Sequence, residues 1–346
     1  NKLKELINEL CPNGVKYKNI QELCKISRGK VMSKDFIKAN AGEYPVYSSQ
    51  TENNGELGKI STYDFDGEYL TWTTDGANAG SVFYRKGKFS VTNVCGLLEI
   101  KSKVMIPKFL YYVLSIEAPK YVNAGMGNPK LMSNVMAKIR VAVPPLEVQC
   151  EIVHILDDFT LLSAELSAEL EARKRQYCYY REKLFEFNND GELKTMGELF
   201  PFIRNGFVGT IRPFFTDEKN GIRYLEGTNI HNGIISDNEM IYVTKEFHQR
   251  HKKNELKEDD ILMVQSGHIG ECAVVGKKYK GANCHALIIM SNGGKCLSKY
   301  IVHYFHTLKG FKALNPAITG GTIKHVLAGK IGKIKVPCPP IEEQTK

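Results

Sequence analysis

The sequence predicts an α+β protein with two tandem domains, each built on mostly antiparallel, barrel-like sheets, joined by a long coiled-coil helix. Three observations predict this architecture: the length of the chain, an internal duplication and one segment with a heptad pattern. The chain has 346 residues, which exceeds one ordinary domain of about 150 residues. We therefore place the domains at 1–146 and 188–338, the helix at 147–187, and the start of a second such helix at 339–346.

An internal duplication is the strongest of these signals. The segment KIRVAVPPLEVQ at 138–149 recurs as KIGKIKVPCPPIEEQ at 330–344. Other matches follow in the same order along the chain, namely Glu22-Leu23 with Glu198-Leu199, Arg28-Gly29 with Arg204-Asn205-Gly206, Thr74-Asp75-Gly76 with Gln265-Ser266-Gly267, and Leu97-Leu98 with Leu287-Ile288. A period of about 190 residues is far longer than that of a solenoid repeat, so each copy is a domain.

Short β-rich segments, separated by glycine and lysine turns, dominate each copy. They lie at 82–84, 89–91 and 97–100 in the first copy, and at 261–264, 272–275 and 287–290 in the second. One helix follows these segments in each copy, near 108–115 and 299–308. Strands combined with a single packed helix predict a mixed α+β domain.

The segment between the copies has a heptad pattern and contains neither glycine nor proline. One seam holds Leu156, Ser163, Leu170, Tyr177 and Leu184, and the other holds Ile152, Phe159, Leu166, Arg173 and Tyr180. All but Ser163 and Arg173 are aliphatic or aromatic, which predicts a coiled-coil helix of about 40 residues and roughly 60 Å. A buried helix inside one domain is the alternative, but such helices typically have only about 8–20 residues.

The composition favours a polyanionic partner and a reducing compartment. The net charge is +9 and the pI is about 8.9, which indicates such a partner only moderately. The nine cysteines contain no CxxC pair, so we expect reduced thiols in a cytoplasmic protein. The pairs His248/His251 and His303/His306 lack a neighbouring cysteine or acid, and we expect no metal site. No apolar run reaches the length of a membrane span.

Motifs for chemistry are missing from the sequence. An adenine methyltransferase would carry an NPPY-like tetrapeptide, but Asn128-Pro129-Lys130 and Asn315-Pro316-Ala317 lack its second proline and its aromatic residue. No phosphate-binding GxxxxGK[ST] loop occurs. Glu99 and Lys101 with Asp75 resemble a nuclease site, yet the second copy places Ile289 and Ser291 at the aligned positions. The sequence therefore predicts a non-catalytic chain without a cofactor of its own.

The paired PPLEVQ and PPIEEQ motifs, with the heptad helix between them, resemble the specificity subunits of type I restriction–modification systems. This resemblance covers nearly the whole chain. It implies two target-recognition domains that each read half of a split double-stranded DNA site. It also implies helices that pair antiparallel, set the half-site distance and dock two methyltransferase (modification) subunits. The departure from the family pattern is the second helix, of which the sequence contains only the start.

The resemblance further implies that partner subunits carry out adenine methylation and restriction. S-adenosylmethionine, ATP and Mg²⁺ are then expected on the methyltransferase and restriction/translocase subunits. The recognition part of a self-sufficient DNA methyltransferase or nuclease is the alternative function. The expected helix-docking residues are Ile152, Leu156, Phe159, Leu166, Leu170, Tyr177, Tyr180 and Leu184.

Polar and basic loop residues are the candidates for DNA contact, because base reading and phosphate binding need amide, hydroxyl, imidazole and guanidinium groups. In the first copy they are Arg28, Lys30, Ser48, Ser49, Gln50, Asn53, Asn54, Thr73, Thr74, Asn128 and Lys130. In the second copy they are Arg204, Arg212, Arg223, Thr228, Asn229, Gln265, Ser266, His268, Thr322, Lys324 and His325. The single tryptophan, Trp72, is expected to pack in the core.

Overall fold

A computed structural model describes residues 2–123, 127–187, 192–321 and 324–345. The chain divides into two compact units, Asn1–Ser167 (unit 1) and Ala168–Lys346 (unit 2). The helix α6 runs from Leu146 to Phe187 and belongs in part to each unit.

Unit 1 is built on one six-stranded sheet. Its strands are β1 (Lys16–Asn19), β2 (Cys24–Arg28), β3 (Ala41–Tyr47), β4 (Glu56–Ile60), β5 (Phe65–Thr73), β6 (Val82–Val91), β7 (Cys95–Ile100) and β8 (Arg140–Val143). The sheet order is β2-β7-β5-β6-β3-β4, and β1 pairs separately with β8. Among the described strand pairs of this unit, β3–β6 is the parallel one. The helices are α1 (Lys2–Leu10), α2 (Ile20–Leu23), α3 (Lys34–Ala39), α4 (Pro107–Glu117), α5 (Ser133–Met136) and the first part of α6.

Unit 2 has two four-stranded sheets. Its strands are β9 (Leu193–Thr195), β10 (Phe202–Asn205), β11 (Phe215–Thr216), β12 (Gly221–Leu225), β13 (Ile230–His231), β14 (Ile234–Ile235), β15 (Ile241–Thr244), β16 (Ile261–Val264), β17 (Cys272–Val274), β18 (Asn283–Cys284), β19 (Leu287–Ser291), β20 (Ile318–Thr319), β21 (His325–Val326) and β22 (Lys335–Pro337). The sheets are β10-β19-β16-β17 and β11-β15-β12-β18. The helices are α7 (Met196–Leu199), α8 (Lys245–Arg250), α9 (Ser298–Phe305), α10 (Leu308–Ala313), α11 (Ala328–Ile331) and α12 (Ile341–Gln344).

The two units share one framework. The order β2-β7-β5-β6 in unit 1 matches β10-β19-β16-β17 in unit 2, and the pair β1–β8 matches β9–β22. The predicted α+β class with two tandem domains and a long helix is therefore confirmed. The barrel-like closure is not, because each sheet among the described residues is open and ends in two edge strands.

Strand pairing corrects two details of the sequence alignment. At the ends of β5 and β16, Thr73 pairs with Cys95 as Val264 pairs with Leu287, which makes Gly96 the equivalent of Ile288. Arg28 pairs with Gly96, and Asn205 pairs with Ile288. The structural equivalent of Arg28 is therefore Asn205 rather than Arg204. By the same register Glu99 matches Ser291, which still gives the second copy no acidic residue there. The sequence alignment had matched arginine with arginine, one position away from the structural equivalent.

A buried glutamine explains the shared motif at the end of each copy. Gln149 accepts from the Ile106 backbone N–H at 2.9 Å and donates to the Val104 and Pro144 carbonyls at 2.8 and 2.7 Å. Gln344 likewise accepts from the Leu297 N–H at 2.8 Å. Each glutamine thus satisfies a free N–H at the start of α4 or α9, which a helix cannot satisfy by itself.

Trp72 lies in the core of unit 1, as predicted, and is fully buried. Its indole N–H donates to the Leu131 carbonyl at 2.9 Å. Gly96 on the neighbouring strand makes room for the ring, since a Cβ there would lie 2.3 Å from it. The indole therefore fixes the 127–133 loop to the sheet, and that loop carries candidate DNA-contacting residues.

The long helix predicted at 147–187 is confirmed as α6, which has 42 residues. Its seam changes character along its length. Ile152 packs against the core of unit 1, whereas Phe159, Leu166 and Leu170 are 65%, 61% and 55% exposed. The next longest helix among the described residues, α4, has 11 residues. The described residues therefore contain no second long helix to cover this seam.

Candidate nucleic-acid interface

In unit 1 the structure brings two predicted polar loops together. The Thr74 carbonyl accepts from the Leu131 N–H at 3.0 Å, and Asp75 forms a β-bridge with Lys130. Arg28 donates to the Ser133 hydroxyl at 3.3 Å, just beyond the same loop. The end of β2, the turn after β5 and the 127–133 loop therefore form one continuous polar edge. Asn128 is exposed on it.

A second group of unit 1 candidates lies around the end of β3. The backbone N–H of Thr92 donates to the Tyr47 carbonyl at 2.9 Å, and Lys30 forms a β-bridge with Thr92. Lys30 also makes an ion pair with Asp64 at 2.5 Å. Ser48, Ser49 and Gln50 are half-buried in the following loop, and Asn53 and Asn54 are exposed at its tip.

Thr73 and Thr74 do not fit the role assigned to them from the sequence. They are 1% and 2% exposed. The Thr74 hydroxyl donates to the Val94 carbonyl at 2.8 Å. Both side chains are buried at the end of β5. The backbone carbonyl of Thr74, and not its side chain, holds the 127–133 loop in place. We therefore leave their side chains out of the DNA contacts.

Unit 2 reproduces the paired loops of unit 1 with other side chains. The Gln265 carbonyl accepts from the Val326 N–H at 2.9 Å, and Ser266 forms a β-bridge with His325. These contacts match those of Thr74 with Leu131 and of Asp75 with Lys130. Ser266, His268, Lys324 and His325 are exposed, and Gln265 is half-buried. Thr322 lies outside the described residues.

Arg204 and Asn229 make contacts inside unit 2. Arg204 donates to the Ser291 hydroxyl at 2.9 Å and to the Glu255 carbonyl at 3.2 Å, and lies 3.8 Å from Asp260. Burial raises the pKa of Asp260, while Arg204 acts in the opposite direction. Asn229 is 2% exposed, and its carboxamide is bonded to the backbone of Glu226, Ser236 and Asn238. Because these groups are already engaged, they stabilise the fold and we leave them out of the DNA contacts.

A basic cavity of about 270 Å³ forms around Arg223 on the second sheet of unit 2. Lys278 and Lys280 line it, together with Glu218, which lies 3.9 Å from the Arg223 guanidinium. The sequence analysis missed both lysines, although the run Lys277-Lys278-Tyr279-Lys280 is a recognisable basic signal. The remaining candidates Arg212 and Thr228 are exposed but make no contact with this cavity.

An apolar cavity of about 730 Å³ lies within unit 2 beside the second part of α6. Three predicted helix-docking residues line it, namely Tyr177, Tyr180 and Leu184. Residues of α9 and α12 complete the lining, including Tyr300, His303 and Gln344. The Tyr177 hydroxyl lies 3.3 Å from His303 Nδ1. This arrangement leaves an unfilled apolar groove where the PPIEEQ motif begins its helix.

The described ranges contain no group of three or more histidine, cysteine, aspartate or glutamate side chains placed to hold a metal ion. Within the same residues no helix is both long and apolar enough to cross a membrane.

Comparison with known families decides where this fold belongs. The family model described as "Type I restriction modification DNA specificity domain" matches residues 12–172 and again 188–346. The chain belongs to this family. The two matches also coincide with the two copies of the duplicated framework.

Similar curated proteins are specificity subunits from Mycoplasma pneumoniae. A putative type I specificity subunit is 44% identical over 205 residues, which cover 59% of this chain and 56% of the relative. The type I restriction enzyme MpnII specificity subunit is 48% identical over 172 residues, which cover 49% of this chain and 52% of that protein. The chain thus spans about half the length of the curated relatives it matches.

A solved structure shares the fold. The S subunit of the type I restriction–modification system from M. genitalium has a TM-score of 0.60 at 15% sequence identity, and the match covers 96% of this chain and 87% of that one. At this identity the likeness shows the fold alone. It supports the tandem arrangement of the two copies.

Proposed function

We propose that the protein recognises a bipartite double-stranded DNA site as the specificity subunit of a type I restriction–modification complex. The observation that carries this proposal is the pair of matching loop contacts, Asp75 with Lys130 and Ser266 with His325. One framework holds different polar side chains at the same places in the two units. Two readers of different half-sites on a common scaffold need this combination, because side chains on loops carry base specificity.

The proposed division of labour leaves chemistry to other subunits. The chain itself acts as a non-catalytic reader and directs adenine methylation by two modification subunits and restriction by translocase subunits. S-adenosylmethionine, ATP and Mg²⁺ bind those partners. The absence of a methyltransferase tetrapeptide and of a phosphate loop from the sequence supports this assignment. Nine free cysteines fit the reducing conditions of the cytoplasm.

Partner docking is proposed for α6. Its exposed seam from Phe159 to Leu184 presents large apolar side chains at heptad spacing, and such a seam is stable when a second helix covers it. The functional segments of the proposal are the recognition domains at 1–146 and 188–338, the spacer helix at 147–187, and a second helix beginning at 339–346. The apolar cavity beside Tyr177 and Leu184 supports docking of that second helix on unit 2.

Methylome sequencing tests this function. The chain is expressed with modification subunits of a related system in a host without its own adenine methylation. We expect methylated adenines in one split sequence with two fixed half-sites and an unread gap. Methylation of a continuous site, or of none, contradicts the proposal. Binding of S-adenosylmethionine by the purified chain alone would instead indicate a self-sufficient enzyme.

A further inference from the structure

Arg85 is a buried cation in the interior of unit 1. It lies in the middle of β6 and is 2% exposed. Its Nε donates to the Thr71 hydroxyl at 3.1 Å. The guanidinium carbon lies 3.6 Å from the ring centroid of Tyr47 and 4.6 Å from that of Phe83. The two aromatic rings stabilise the cation through their faces.

The two terminal nitrogens of Arg85 are without hydrogen-bond partners in the part of the chain that the structure describes, and both are buried. The neighbouring groups that act on its pKa are Tyr47, Cys95 and Tyr111, and none of them is a carboxylate. Burial lowers its pKa, against the effect of Tyr47. A buried charge without a counter-ion is unfavourable, and unpaired buried donors in a native protein need an explanation.

The loop Ser48–Gly55 packs against the guanidinium through Gly55. A Cβ on Gly55 would lie 2.9 Å from Arg85 Nη2, so the loop rests on the arginine at its one glycine. The loop is closed by a bond from the Ser48 N–H to the Gly55 carbonyl at 3.0 Å. At its tip Asn53 and Asn54 have φ angles of 48° and 53°, a left-handed conformation that asparagine adopts more readily than most residues other than glycine.

The framework does not require an arginine at this place. The Thr73 N–H donates to the Ser81 carbonyl in unit 1, as the Val264 N–H donates to the Glu271 carbonyl in unit 2. Four residues after these two equivalent carbonyls, Ser81 and Glu271, lie Arg85 and Val275. Val275 is therefore the structural equivalent of Arg85 in unit 2. Val275 is 1% exposed in an apolar cluster. The charge therefore belongs to what is particular to unit 1.

We propose that Arg85 is a DNA-binding residue of unit 1, whose two terminal nitrogens take a pair of acceptors on DNA when the Ser48–Gly55 loop is displaced. The proposal rests on the DNA-reading function proposed above. Two phosphate oxygens match the fork of a guanidinium, and so do the O6 and N7 atoms of guanine. The loop that must move carries Ser48, Gln50 and Asn53, which are themselves candidates for DNA contact.

The test compares the full-length chain with three variants on a pool of random-sequence duplex DNA. Arg85→Met removes the charge and keeps the volume, and Arg85→Lys keeps the charge but removes the fork. Lys88→Met is the matched control, because Lys88 is an exposed cation on the same strand and lies over Tyr63 at 4.7 Å. Thermal unfolding, selected sequences and the salt dependence of affinity are measured for each.

We expect Arg85→Met to keep or raise the melting temperature, since an apolar residue replaces an uncompensated buried charge. Its affinity for the selected DNA should fall by about ten-fold or more, while Lys88→Met stays within about two-fold of the wild type. If the contact is to guanine, one position of one half-site loses its preference in both Arg85 variants. If the contact is to phosphate, all sequences weaken alike, the salt dependence becomes shallower by about one ion, and Arg85→Lys retains much of the affinity.

Three results would overturn the inference about Arg85. The inference is wrong if Arg85→Met binds the same half-sites with wild-type affinity, or if Lys88→Met loses as much affinity as Arg85→Met. Unfolding of both Arg85 variants would show that the residue is structural. A wild-type chain that selects no sequence at all would instead refute the proposed function, and with it this inference.

Discussion

Each unit of this protein has an arginine that contacts its interior, fully buried Arg85 in unit 1 and half-buried Arg204 in unit 2, and among the described residues only Arg204 lies beside a carboxylate. Arg204 in unit 2 lies 3.8 Å from Asp260 and also bonds to Ser291 and Glu255. Arg85 in unit 1 has one hydroxyl and two aromatic rings. Arg204 occupies the place of Ser27, and Arg85 that of Val275, so neither charge is inherited from the common framework. The comparison teaches that the two copies of a duplicated fold keep the same positions for their side chains, while the charged residues at those positions differ.

Breaking the ion pair of unit 2 should have the largest effect on stability. Asp260→Ala leaves the Arg204 guanidinium, whose side chain is 25% exposed, without its counter-ion. We expect a loss of about 3 kcal/mol in the free energy of unfolding, measured by urea denaturation of the full chain. Arg85→Met is the contrasting variant, for which we expect no loss. Equal losses in both variants would contradict the difference drawn between the two arginines.

The two motif glutamines offer a second comparison. Gln149 is fully buried and makes three hydrogen bonds. Gln344 bonds to Leu297, Cys296 and Pro339 but is only half-buried. Removing a buried partner leaves donors and acceptors unpaired, so Gln149→Ala should cost about 2 kcal/mol and Gln344→Ala about 1 kcal/mol. Urea denaturation measures both values. A larger loss for Gln344→Ala than for Gln149→Ala would contradict the idea that the fully buried glutamine contributes more to stability.

His306 in unit 2 should make a smaller contribution to stability, and one that depends on pH. Burial lowers the pKa of His306 below its ordinary value, although Glu271 at 3.5 Å acts against this. The folded chain then binds fewer protons than the unfolded one, so this contribution to stability is present above about pH 6.5 and is lost as the pH falls below it. The matching residue of unit 1 is Ser115, which does not titrate.

Hydrogen exchange at several pH values checks the effect of His306. Between pH 7 and pH 5.5 we expect the protection of α9 amides to fall more in the wild type than in His306→Gln, by less than about 1 kcal/mol. Protection of α4 in unit 1 serves as the internal control. A fall of the same size in α4, or in the variant, would rule out His306 as the cause.

The smallest effect on stability is expected in α6, where a change should alter spacing instead. Ser163-Ala164-Glu165-Leu166 is repeated at once as Ser167-Ala168-Glu169-Leu170, in strong helix formers. One further unit lengthens the helix by about 6 Å, against a rise of about 3.4 Å per base pair of DNA. We expect the unread gap to grow by one or two base pairs with both half-sites unchanged, as read by methylome sequencing. An unchanged gap would contradict a role of this helix as a ruler.

How far the sequence predicted the molecule depends on the kind of residue. The duplication, the long helix and the core position of Trp72 followed from periodicity and size, which are local properties. The interior roles of Arg204, Asn229, Thr73 and Thr74 did not, because burial of a polar side chain depends on partners far along the chain. Asp260, which lies beside Arg204, is 56 residues away from it in sequence.

The candidate site shows the same limit. The paired loops at Asp75 with Lys130 and Ser266 with His325 join segments separated by more than 50 residues, and only the repeat pattern pointed to them. Arg85 was not predicted at all. An arginine within the β-rich segment VFYRKGKF has no local signal that distinguishes a solvent-exposed cation from a buried one.

The small pairs β1–β8 and β9–β22 have a consequence for how such a protein can change over time. Lys16 lies opposite Val143, and Leu193 lies opposite Pro337, so each recognition domain begins and ends at one place, with paired Cα atoms about 5 Å apart. A gene segment cut at these two points encodes a closed module whose ends need no new path. A different module with the same pairing of its ends can therefore join the rest of the chain at the same two points.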